Sequence, residues 1–115
     1  MSYFAISAYE SSSSFGNVYN AFNTSYSSYG SSSGSSVGVA AKLAPLAIGT
    51  DTNSSLRLPA ALNGCISLRS GLKKISTKGI IPLNTSRDVP GVITKTVYDQ
   101  ALLLDVLTNG KYQYA

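Results

Sequence analysis

Gly30-Ser31-Ser32-Ser33-Gly34-Ser35 and Gly49-Thr50-Asp51-Thr52-Asn53-Ser54-Ser55-Leu56-Arg57-Leu58-Pro59 are the two stretches on which the reading of this chain turns. The first of them, taken in isolation, reads as flexible Gly/Ser linker. Composition changes between them. Before Ser36 the chain is rich in Ser, Tyr, Asn and Gly, as in Asn23-Thr24-Ser25-Tyr26-Ser27-Ser28-Tyr29, and after it Leu, Val, Ile and Ala take over. That first third, read alone, has the composition of a low-complexity segment.

From Ser35 onward the pattern predicts regular structure. Ser35 is read as the N-cap of a helix over 36–43 that packs through Val37, Val39, Ala40 and Leu43 and stops at Pro45. Leu46-Ala47-Ile48-Gly49, short and apolar, predicts a buried strand. A second helix starts near Ser55 and runs through Ala61 to a left-handed cap at Asn63-Gly64, with Pro59 tolerated in its first turn. Cys65-Ile66-Ser67-Leu68-Arg69 alternates apolar and polar residues as a strand does. Residues 71–86 read as loop, interrupted by the apolar run Ile80-Ile81-Pro82-Leu83. Val97, Ala101, Leu103, Leu104 and Leu107 keep a helical period between Thr94 and Thr108, and Asn109-Gly110 ends it. Helices alternating with strands predict the α/β class, with helices against a mixed or parallel sheet reached by crossover connections. We divide the chain into residues 1–34, an irregular Ser/Tyr-rich segment carrying the first loop, and residues 35–115, one partial domain.

A length of 115 residues sets one domain as the ceiling, and 43% hydrophobic content suffices for a core. The net charge of +4 is spread over single side chains apart from Lys73-Lys74. A nucleic-acid partner, which needs basic charge clustered on one face, is therefore not expected. The one cysteine, Cys65, excludes an internal disulfide and reads as a small buried hydrophobe. The opening Met1–Ser7 lacks the basic start of a secretory leader, and the apolar stretch 37–48 is broken by Lys42 and Pro45. The expectation is a cytoplasmic protein without a membrane partner.

Histidine is absent, which removes Ser-His-Asp and Cys-His catalysis. The carboxylates Glu10, Asp51, Asp88, Asp99 and Asp105 are too dispersed for a metal cage, so neither metal nor cofactor is expected. A serine nucleophile without histidine needs another base, and lysine serves when burial lowers its pKa enough to keep it neutral.

The two opening stretches, joined without a gap through Ala40-Ala41-Lys42-Leu43-Ala44-Pro45-Leu46-Ala47-Ile48 and continued by Ala60-Ala61, resemble the amidase signature family. The resemblance runs from about Phe15 to Gly110. Gly79-Ile80-Ile81-Pro82, Asp88 and Thr94-Lys95-Thr96-Val97-Tyr98-Asp99 follow the same family pattern. It implies part of the amidase signature fold, a mixed sheet flanked by helices and incomplete in this chain. It also implies hydrolysis of a carboxamide C–N bond through an acyl-enzyme, with a small-molecule amide as substrate. Ser55 corresponds to the acylated nucleophile, and Ser31 to the bridging serine that follows a cis peptide bond, here Gly30-Ser31. The backbone N–H groups of Thr52, Asn53, Ser54 and Ser55 correspond to the oxyanion hole. The implied relay passes a proton from Ser55 to Ser31 and from Ser31 to a neutral lysine.

Departures from the family pattern are specific. Asn53-Ser54 stands where the family usually has Gly-Gly, Tyr29 and Ser33 replace common glycines, and Ser67 and Ser70-Gly71 depart further on. Asp51 and Arg57 flank the turn, and we assign them the structural task of holding its backbone. The Ser/Tyr segment over 11–29, which lacks basic residues, reads as the solvent-facing border of an active site and not as a base-stacking platform. The family's lysine precedes the bridging serine, whereas the first lysine here is Lys42, read as solvated on a helix face. The expectation is a truncated amidase segment without its base. The alternative is a catalytically inactive remnant or interaction segment. Which amide is cleaved, and the oligomeric state, stay open.

Overall fold

The computed structural model describes residues 12–115 together with Ile6. The reading of Met1–Ser7 and the start of the serine-rich segment therefore fall, Ile6 apart, outside the described residues. The elements follow in the order β1 (Ser12–Ser13), β2 (Gly16–Asn17), α1 (Ser33–Ala40), β3 (Leu46–Asp51), α2 (Arg57–Leu62), β4 (Ile66–Ser67), β5 (Val89–Thr94) and α3 (Val97–Leu107).

Successive side chains of a strand point to opposite faces, and β5 uses both. Ile93 joins Val39, Leu56 and Ala60 in one cluster, with Ala47 and Cys65 packed against it. Val92 joins Ile75 and Leu104 in a second, backed by Leu103 and Leu107 of α3. The sheet thus lies between α1 and α2 on one face and α3 on the other, which is the α/β arrangement expected. All six residues of β5 are buried. With no exposed face there is no alternation, and Pro90-Gly91 interrupt the apolar run, so this strand escapes the sequence patterns.

The sheet order β3-β5-β4 corrects the expected topology. Both β3 and β4 pair antiparallel with β5. They run parallel to each other, as a crossover demands, but β5 lies between them and neither ladder is parallel. Nor is β3 a buried strand. It lies at the edge of the three-stranded sheet, and Leu46 and Ile48 are exposed on its α3 side.

Serine chemistry covers that edge. The Thr50 amide donates to Ser32 Oγ at 3.2 Å, Ser32 Oγ donates to the Thr50 carbonyl at 3.4 Å, and Ser35 Oγ donates to the Ile48 carbonyl at 2.8 Å. Thr50 opposes Pro90 in the ladder. Since both backbone groups of Thr50 face Ser32, the missing N–H of Pro90 removes no bond from β3.

Helix α1 begins three residues earlier than predicted, because the hydroxyls of Ser32 and Ser35 serve β3 and neither caps the helix. It ends at Ala40, and Leu43 is 82% exposed, so Leu43 is not a packing residue. Lys42 takes a φ of +63° and is exposed. In α2, Pro59 occupies the first turn, and the left-handed cap residue is Gly64 at φ +60°, while Asn63 keeps a negative φ. Thr96 caps α3 by accepting the Asp99 amide at 3.0 Å, and Gln100 takes the buried place expected of Val97, which is exposed. Asn109 and Gly110 both adopt left-handed conformations after α3, as their identities predict.

The segment before α1 carries only β1, β2 and a single bridge between Tyr19 and Ser27 among the described residues. It is anchored by Asn63, which accepts the Ala21 amide at 2.9 Å and donates to the carbonyls of Ser28 and Pro59 at 3.3 and 2.9 Å. Its end is not exposed, contrary to the composition: Ser28 and residues 30–33 are buried. No helix among the described residues is long and apolar enough to cross a membrane.

Candidate active site

A Gly/Ser run gains fixed geometry only when its backbone is held from several sides, and here two elements do so. Ser36 donates from its amide and its hydroxyl to the Ser32 carbonyl at 3.1 and 3.0 Å, while Ser32 Oγ grips β3. The Ser32 amide donates to the carbonyl of Ser55 at 3.0 Å, which brings the loop of Ser31 against the turn of Ser55. The Gly30-Ser31 peptide bond is cis. Ser31 is fully buried and its Oγ has no hydrogen-bond partner among the described residues. Ser55 is 8% exposed, at the end of the turn that leads into α2.

The turn 52–55 is held from below by a buried carboxylate. Asp51 Oδ1 accepts the Ser54 amide at 2.9 Å, and Oδ2 accepts Arg57 Nε at 2.9 Å. Arg69 reaches the same carboxylate at 3.2 Å and donates to the Asp51 and Arg87 carbonyls. Burial by itself pushes the Asp51 carboxyl up, but the Arg57 hydrogen bond, the Ser54 amide and the guanidinium charge outweigh it and hold the group below its usual range. The structural task expected of Asp51 and Arg57 is what this geometry describes. Arg69, eighteen residues on from Asp51, is a third member that sequence spacing did not single out.

Of the four amides aligned with an oxyanion hole, Ser54's is committed to Asp51. Those of Thr52, Asn53 and Ser55 donate to nothing among the described residues. The positive φ that a Gly-Gly pair would supply falls on Ser54, at +74°, and not on Asn53. Serine enters that region rarely, and the Asp51 bond to its amide holds it there. Thr52 is fixed from the other side by donating its hydroxyl to Asp88 Oδ1 at 2.5 Å.

Ser33 and Cys65 complete the surroundings. Ser33, the first residue of α1, is fully buried with an Oγ lacking a partner among the described residues, and its serine-rich context concealed it. Cys65 is half-buried against the Val39 cluster, and burial pushes its thiol up despite the Lys95 charge. It is the packing residue the sequence suggests. The arrangement as a whole brings the loop of Ser31 against a turn that carries Ser55 and three uncommitted amides, with no lysine hydrogen-bonded to Ser31 Oγ among the described residues.

Comparison with known proteins returns the same segment. A family model described as Amidase matches residues 1–113. A glutamyl-tRNA(Gln) amidotransferase subunit from Lawsonia intracellularis (strain PHE/MN1-00) is 47% identical over 106 residues, 92% of this chain and 22% of that protein. The mandelamide hydrolase of Pseudomonas putida is 43% identical over 92 residues, 80% of this chain and 18% of its own length. The solved structure of native peptide amidase from Stenotrophomonas maltophilia superposes with a TM-score of 0.76 at 42% identity, covering 80% of this chain and 19% of that one. The chain spans about a fifth of the length of the curated relatives it matches.

Proposed function

Because the chain belongs to the amidase family, we propose that it carries the nucleophile loop and the bridging-serine loop of an enzyme that cleaves the C–N bond of a small carboxamide. Ser55 Oγ attacks the carbonyl carbon, and its proton passes to Ser31. The amides of Thr52, Asn53 and Ser55 receive the oxyanion, each such donor contributing about 3 kcal/mol to the transition state. Collapse of the tetrahedral intermediate breaks the C–N bond, and the amine leaves with the proton returned through Ser31. Water then releases the acid by the same route in reverse.

The observation that carries this reading is the contact between the two loops, with the Ser32 amide bonded to the Ser55 carbonyl and the Oγ of the neighbouring Ser31 buried and without a hydrogen-bond partner among the described residues. The relay also needs an acceptor for the Ser31 proton. We assign that role to a neutral lysine, as the family resemblance implies; among the described residues no lysine is hydrogen-bonded to Ser31 Oγ. The amide-cleaving relatives support a carboxamide substrate, and the amidotransferase relative leaves room for group transfer in place of hydrolysis.

Labelling of the full-length protein with a serine-directed fluorophosphonate, mapped by mass spectrometry, tests the assignment. Modification of Ser55, lost in Ser55→Ala together with amide hydrolysis, is the expected result. A second reading, an inactive remnant or interaction segment, draws on the same orphan hydroxyl at Ser31. Measurable amide hydrolysis that depends on Ser55 eliminates it, and modification elsewhere with hydrolysis intact in Ser55→Ala eliminates the first.

A further inference from the structure

Gly49 and Gly91 oppose each other directly across β3 and β5. Opposed residues in an antiparallel pair point to the same face, and here that face is occupied by the residues that follow the two candidate serines. A Cβ built on Gly49 would lie 2.5 Å from Ser32 Oγ and 2.9 Å from Leu56 Cδ1. One built on Gly91 would lie 2.5 Å from Leu56 Cδ2 and 2.9 Å from the Leu68 carbonyl oxygen. Ser32 and Leu56 are both fully buried. Leu56 is hemmed in by Val39, Ala60 and Ile93, so its side chain cannot swing aside without repacking that cluster.

We propose that the Gly49–Gly91 pair is a common seat that sets the register between Ser31 and Ser55, and that Gly91 and Leu56 are positioning residues for acyl transfer at Ser55. The inference rests on the amidase reading for its consequence and on the glycine geometry for its substance. Ser31 is held in place through Ser32, which fills the hollow over Gly49. Ser55 is held through Leu56, which fills the hollow over both glycines. The Ser32–Ser55 backbone bond then closes the triangle. A methyl group at position 91 falls about an ångström inside ordinary contact distance, and a displacement of that size at a nucleophile costs about 100-fold in rate.

Four variants of the full-length protein test this: Gly91→Ala, Leu56→Ala, the double change Gly91→Ala with Leu56→Val, and Leu104→Ala as a control that thins the core on the opposite face of the sheet, away from the seat. Two readouts are taken, the rate constant for fluorophosphonate labelling of Ser55 and the hydrogen exchange of the Ser32 amide. Gly91→Ala and Leu56→Ala should slow labelling about 100-fold and accelerate Ser32 exchange, and the double change should recover part of both. Leu104→Ala should lower thermal stability while leaving labelling near that of the unaltered protein. If Gly91→Ala does not fold, the contrast between Leu56→Ala and Leu104→Ala decides. Equal behaviour of those two, in either direction, overturns the seat. Exchange at Ser32 reads the seat independently of chemistry, so an unaltered protein that fails to label at Ser55 counts against the amidase reading alone.

Discussion

The Ser32 amide donates to the Ser55 carbonyl at 3.0 Å, so the two loops meet through backbone before any side chain is considered. Their relative position is thereby insulated from rotamer changes at Ser31 and Ser55 themselves. It depends instead on what holds Ser32, which includes the two bonds between its hydroxyl and Thr50.

Ser32→Ala should therefore impair the site without removing either candidate serine. The change strands the amide and carbonyl of Thr50 at a covered sheet edge, a loss of about 1–3 kcal/mol for a buried group left unpaired. The expected outcome is a lowered melting temperature together with a reduced rate of amide hydrolysis and an unchanged KM. Calorimetry and steady-state kinetics on the full-length protein check it.

Asp51 makes an acid-sensitive contribution. Its folded-state pKa lies below the usual aspartate value of 3.8, so the unfolded chain binds the proton more readily. The stabilisation is then fully present above that usual value and is lost as pH falls through the folded value. Asp51→Asn should cost about 2 kcal/mol at neutral pH, discounted because Arg57 is half exposed and can turn to water. The measured difference in unfolding free energy between the two proteins should shrink below about pH 4. A difference that stays constant from neutral pH down to about pH 2 would contradict the account.

How much of this was legible depends on where each residue's partners lie. Asn109-Gly110 and Gly64 declare their helix ends because the demand for positive φ is local. The β5 strand does not declare itself, since burial on both faces erases alternation and Pro90 is tolerated only because Thr50 turns its backbone groups toward Ser32. Composition alone made the loop around Ser31 a linker; its burial is imposed by β3 and the Ser55 turn, both distant in sequence. The pairing of Ser31 with Ser55 was legible only through the family pattern. Arg69 was missed because its partner Asp51 is across the fold.

Asn63→Ala should loosen the segment before α1. The side chain is fully buried at the end of α2 and ties Ala21 and Ser28 to that helix. Substitution removes an acceptor and a donor at once and leaves the Ala21 amide unpaired, about 1–3 kcal/mol. Limited proteolysis should find new cleavage sites between residues 18 and 29, while a digestion pattern identical to that of the unaltered protein would show that other contacts suffice.

Asp88 links the long loop to the nucleophile turn. Its Oδ2 accepts the amides of Leu83 and Asn84, each at 2.8 Å, while Oδ1 takes the Thr52 hydroxyl at 2.5 Å. One carboxylate thus closes the turn over 83–88 and braces the residue that begins the candidate oxyanion hole. Burial, the largest single influence, pushes its carboxyl up, but the Thr52 hydroxyl, the Asn84 and Leu83 amides and the Arg69 charge together outweigh it and hold the group below its usual range. Asp88→Ala should free the Leu83 and Asn84 amides to exchange rapidly with solvent, because they make no other hydrogen bond among the described residues. Thr52→Val, which cuts only the link to the turn, should leave those two amides protected and lower the labelling rate at Ser55. Rapid exchange at Leu83 and Asn84 in Thr52→Val would show that the loop is held by the turn, and the direction of support assigned here would have to be reversed.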